Sequence, residues 1–187
     1  MAKTYAQLIS FAAQAARGTL KDLDKLLRAL IDGEHQGPVT VTSATFVFGK
    51  EHRNRTTVYD KADGVVGTLP PATGSGDRYR VFIKTTITSG AGAVKVANAS
   101  DIMAGIATLA QDAGDTSVSF ETASDTDTVT TNGTTTGGVK GMTIEVEDIA
   151  ANLWRVHVTG AATGTPLILG LVSFLAGLVG VDLAALG

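Results

Sequence analysis

Residues 65–84 read VVGTLPPATGSGDRYRVFIK, and this stretch constrains the fold more than any other. Pro70 and Pro71 have no N–H to give a ladder, so a strand running into them must stop. Gly74 and Gly76 supply the positive-φ positions a chain reversal needs. Beyond the turn, Tyr79, Val81 and Ile83 alternate with Arg78, Arg80, Phe82 and Lys84, the period of a strand with one dry face. The pattern predicts two strands joined as a central hairpin, which carries no catalytic motif.

The same grammar extends on both sides. Residues 39–48 are rich in Val, Thr and Phe, and a short strand is expected at 56–59. Further strands are expected at 93–97 (AVKVA), 102–109, 117–121 (SVSFE) and 126–132. Met142, Ile144 and Val146 alternate with Thr143, Glu145 and Glu147; Trp154, Val156 and Val158 alternate with Arg155, His157 and Thr159. Roughly nine or ten short strands, with turns at near-regular spacing, predict an antiparallel β-sandwich or barrel-like domain. The expected boundaries are a helical arm at residues 1–37, a β-sandwich domain at 38–160 and an apolar extension at 161–187.

The arm reads as helical because Tyr5, Leu8, Ile9, Ala12 and Ala16 share one face, and Leu20, Leu23, Leu27, Leu30 and Ile31 form a second stripe after a Thr19 N-cap. Gly37-Pro38 closes it. At the other end, residues 167–181 contain no charge. A membrane span needs about 20 apolar residues, and this run is shorter and diluted by Gly170, Gly177 and Gly180. Leu167, Leu171, Phe174 and Leu178 fall at heptad-like steps, so they are the expected oligomer contacts, with a membrane segment as the alternative. The start of the chain lacks the apolar run of a secretory signal.

Charge and composition narrow the function. A formal net charge of −3 argues against a nucleic-acid partner held by phosphate neutralisation. The chain has no cysteine, which removes disulfides, thiolate metal sites and cysteine nucleophiles. His35, His52 and His157 are widely separated, without a ligand at metal spacing. Asp125 and Asp127, or Glu145, Glu147 and Asp148, have the chemistry of calcium ligands but not the spacing of a calcium loop, and paired acids on a strand are ordinarily solvated. No catalytic residue, cofactor or metal is therefore expected. The densest basic patch is the corner Lys50, His52, Arg53 and Arg55, which is either a wet loop or a contact for an acidic protein surface.

The run from TVTSATFVFGKEHRNR through TLPPATGSGDRYRVFIK to AVKVA, followed by TDTVTTNGTTTGGVKGMTIEVEDIAANLWRVHVTG, resembles head decoration and related structural proteins of tailed bacteriophages. The resemblance covers about residues 39–160. It implies a non-enzymatic cement protein on the capsid surface of the virion, a homotrimer whose partner is the major capsid protein, with no catalytic residues to carry over. The rival readings are a tail-fibre receptor- or carbohydrate-binding module, which needs an exposed aromatic platform, and a hydrolase with an unrecognised carboxylate pair. Aromatic residues make up only 5% of the chain, and Trp154 is its sole tryptophan, expected in the core.

Overall fold

The computed structural model describes residues 37–111 and 116–163. The expected helical arm, the run at 167–181 and its contacts Leu167, Leu171, Phe174 and Leu178 lie outside these residues. Eleven strands are described: β1 (Val39–Val41), β2 (Thr45–Val47), β3 (Thr56–Tyr59), β4 (Val66–Thr68), β5 (Arg78–Ile83), β6 (Gly92–Lys95), β7 (Ile102–Gln111), β8 (Thr116–Glu121), β9 (Thr128–Thr131), β10 (Thr143–Ala150) and β11 (Leu153–Ala162). All belong to the unit that begins at Pro38.

The strands form a seven-stranded sheet, ordered β1-β3-β5-β10-β11-β7-β8, and a four-stranded sheet, ordered β2-β4-β6-β9. One apolar cluster runs between them. It draws on Tyr79, Val81, Ile83, Ile144, Val146, Trp154 and Val156 from the larger sheet and Val94 and Val129 from the smaller. Trp154 is fully buried, as its strand phase predicts. The inward and outward sets of β5, β10 and β11 follow the alternation of the sequence.

The sandwich is mixed, which corrects the antiparallel expectation. Five of the nine strand pairings are parallel. From β1 to β6 the chain visits the two sheets alternately, so β1, β3 and β5 stack in parallel in one and β2, β4 and β6 in the other. Parallel neighbours need a long crossover, commonly a helix; between β1 and β6 each crossover is a strand of the opposite sheet. Residues 39–48 hold two strands, one in each sheet, and one sequence reading changes as a result. The stretch at 65–84 holds two strands as expected, but β4 and β5 lie in opposite sheets and the proline-glycine segment spans between them instead of closing a hairpin.

Candidate functional site

The outward face of the seven-stranded sheet carries a hollow of about 330 Å³, lined by charged side chains of β5, β10 and β11 and by Arg55 and Thr56 at the start of β3. Register builds it. Glu147 lies opposite Arg78 on one side and Arg155 on the other, and one step along Glu145 lies between Arg80 and His157. Because facing residues on adjacent strands are about 5 Å apart, each carboxylate is presented directly to an arginine.

Both oxygens of Glu147 are used. Arg78 donates to Oε1 from Nε and Nη2, at 2.9 and 2.8 Å, and Arg155 Nη2 lies 3.0 Å from Oε2. Arg80 Nη2 lies 2.7 Å from Glu145 Oε1. The Glu147 side chain is only 14% exposed, whereas those of Arg78 and Arg155 are 68% and 60% exposed. The carboxylate therefore forms the floor and the guanidinium groups stand above it. Arg55, at the rim, donates from Nη1 to the Glu51 carbonyl oxygen at 3.0 Å. Four arginines, Arg55, Arg78, Arg80 and Arg155, against Glu145 and Glu147 leave the hollow with a formal surplus of two positive charges. The whole chain carries −3.

The basic corner of the sequence splits on folding. Lys50 is exposed, and Arg53 pairs through Nε with Asp77 at 3.0 Å. His52 is buried. Its ring packs against Phe46 and Phe48, with centroids 5.1 and 5.6 Å away. Burial pushes its pKa down, against the opposing pull of Glu51. The Gly49 N–H lies 3.1 Å from Nδ1, and Glu51 Oε1 lies 3.2 Å from the same nitrogen. His52 thus packs beneath the corner, and of the four corner residues only Arg55 lines the hollow.

The acid group at 145–148 also divides. Glu145 and Glu147 face outward, but Asp148 continues the inward phase of Ile144 and Val146 and is 2% exposed. Its carboxylate closes the 72–76 turn. Oδ1 accepts the Gly74 N–H at 2.7 Å, Oδ2 accepts the Ser75 N–H and hydroxyl at 3.0 and 2.8 Å, and the Thr73 N–H lies 3.0 Å from both oxygens. The Thr73 hydroxyl adds a bond of 3.1 Å to Oδ2. Burial opposes the charge, but the N–H donors of Ser75, Thr73 and Gly74 outweigh it and hold the pKa down at about 2. A second buried acid, Asp101, takes the preceding Ala72 N–H through Oδ2 at 3.0 Å. Four consecutive backbone donors, from residues 72 to 75, are thus held by two carboxylates distant in sequence, Asp101 just before β7 and Asp148 in β10. Sequence reasoning passed over both acids as anchors. The available signal was the phase of Asp148, which shares its strand face with Ile144 and Val146.

Asp125 and Asp127 flank the buried Thr126 just before β9, away from the charged hollow, so the two sequence-level calcium candidates are not brought together there. His157 is outward on β11, opposite Glu145. Among the described residues, no helix is long and apolar enough to cross a membrane. Neither a protein-family model, nor a curated protein, nor a solved structure matches the chain.

Proposed function

We propose that this protein is a non-enzymatic structural component of a tailed-phage virion, seated on the outer surface of the head as a trimeric decoration protein that reinforces the shell. The observation that carries the reading is the arginine-rich hollow, a patch of sign opposite to the whole chain, built on the rigid backbone of four adjacent strands. Such a patch recognises an acidic protein surface through planar, fork-shaped donors. These acids already have partners, the buried Asp101 and Asp148 on a turn and the outward Glu145 and Glu147 on arginines, which suits a binding role better than acid–base chemistry. The turns that carry the family resemblance, 70–76 and 132–138, are the ones locked by internal carboxylate and amide bonds. The Asn132 side-chain carbonyl alone accepts the N–H groups of Thr134, Thr135 and Thr136.

The tail-fibre alternative asks for exposed aromatic rings, and Trp154, Tyr79 and Tyr59 are all turned into the core. A trimer on a three-fold position of the head multiplies weak contacts into firm occupancy. A ligand that binds only the assembled shell shifts the equilibrium away from disassembly. The test is to mix purified protein with undecorated heads of its phage, measure occupancy by cryo-microscopy and follow head survival on heating. Saturable occupancy with improved survival is expected. Heads that stay bare, or that fill without surviving better, reject the reading.

A further inference from the structure

We propose that the hollow between β3, β5, β10 and β11 is a receptor for an extended acidic polypeptide segment, whose alternate carboxylates dock between the standing arginines. The inference rests on the preceding reading only for the source of the segment, the surface protein of the head. Its chemistry stands on the geometry.

The two charged rows are two residues apart along the strands. One is Arg78–Glu147–Arg155 and the other begins Arg80–Glu145. Positions i and i+2 of an extended chain lie on one face about 7 Å apart. A peptide laid along the strand direction with an acid at every second residue therefore repeats at the spacing of the rows. Arg78 spends Nε and Nη2 on Glu147, and Arg80 and Arg155 each meet a glutamate through Nη2. Each guanidinium has five N–H donors, so donors remain on the solvent side of all three. The exposures of Arg80 and Arg155, 57% and 60%, put those donors within reach of a partner.

The interleaved glutamates select the kind of anion. A compact dianion such as phosphate, centred over either row, sits above a carboxylate of the protein and is repelled by it. A carboxylate of single charge fits between neighbouring arginines, as Glu147 itself does between Arg78 and Arg155. Nucleic acid, with its denser charge, is disfavoured for the same reason and by the chain's net charge of −3.

The test uses the full chain and a synthetic peptide of alternating glutamate and threonine, at low salt. Binding is followed by calorimetry and by the arginine Nε–Hε resonances. The peptide should bind and shift the resonances of Arg78, Arg80 and Arg155, with affinity falling as salt rises. Arg80→Gln and Arg155→Gln should each weaken binding about tenfold while the protein keeps a cooperative thermal melt. Glu145→Gln should strengthen it, since a competing carboxylate is removed; a merely structural role for this residue predicts no gain. Absence of peptide binding, indifference to the arginine substitutions, or tighter binding of inorganic phosphate or single-stranded DNA at the same resonances overturns the proposal. A parallel arm with undecorated heads separates the two ideas. If Arg80→Gln and Arg155→Gln occupy heads as well as the unmodified protein does, the acidic-segment proposal fails and the decoration reading stands. If the peptide binds as expected and heads stay bare, the decoration reading fails and the hollow remains an acidic-segment receptor.

Discussion

Asp148 shows how a single side chain can set both a loop and a pH limit. Its charge is stabilised in the folded state only, so its pKa falls from an ordinary 3.8 to about 2. The stability this gives is fully present above the unfolded value and is lost as pH falls through the folded one. The loss should amount to about 2 kcal/mol between pH 5 and pH 2. Urea melts across that range should show it. In Asp148→Asn the amide would turn donors toward donors, so stability at pH 7 should fall by about 3 kcal/mol. The Asp148→Asn protein should also lose much of the slope below pH 4, whereas an unchanged slope would assign it to other acids. The residue was half legible in the sequence. Its inward phase could be read from Ile144 and Val146, but its partners at 73–75 lie more than seventy positions away and follow no local rule.

At the scale of elements, the strands were legible and their neighbours were not. Alternation of Tyr79, Val81 and Ile83 with Arg78 and Arg80 reports one wet and one dry face, and burial follows it. Which sheet a strand joins is decided by the connection before it, and that information is weak in the sequence. The segment from Leu69 to Asp77 is too long for a tight hairpin turn, and it crosses the sandwich instead. The hollow was hidden for the same reason: Arg78, Glu147 and Arg155 meet only once β5, β10 and β11 are in register. Gly67 in β4 lies directly against the aromatic group. A methyl group there would meet the Tyr59 hydroxyl and the rings of Phe48 and Phe46. Phe46 and Phe48 already lie 4.6 Å apart, with Tyr59 edge-on to Phe46 at 5.8 Å. Gly67→Ala should therefore cost about 1–3 kcal/mol in chemical denaturation through overpacking. Adding Phe46→Leu should recover part of that loss, since the two sites share one space. Strictly additive costs would show that the clash is relieved elsewhere.

For the whole molecule, the described core closes on itself. Its buried side chains run from Val41 to Ala162 and include both sheets. A chain of residues 37–163 should accordingly keep a β-type far-UV spectrum and melt in one cooperative step; an unfolded product would place necessary packing outside those bounds. The expected division near Gly37-Pro38 came from a change of hydrophobic period, which a sequence displays openly. The sign of the charged face did not show, because the net charge of −3 averages over the surface. The order of the sheet has a mechanical consequence. β1, β3 and β5 run one way, β10 runs against them, and β11 runs with them again. Val39 thus opens the sheet at one end of its strands, and Ala162 leaves it from the opposite end. Tension between those points slides strands lengthwise and loads their ladder bonds together, instead of peeling them one by one. The grip is uneven: β1 holds β3 through three residue pairs, while β11 is held by ten pairs to β7 and seven to β10. A stretched molecule would slip first at β1, leaving the arginine-bearing strands in register.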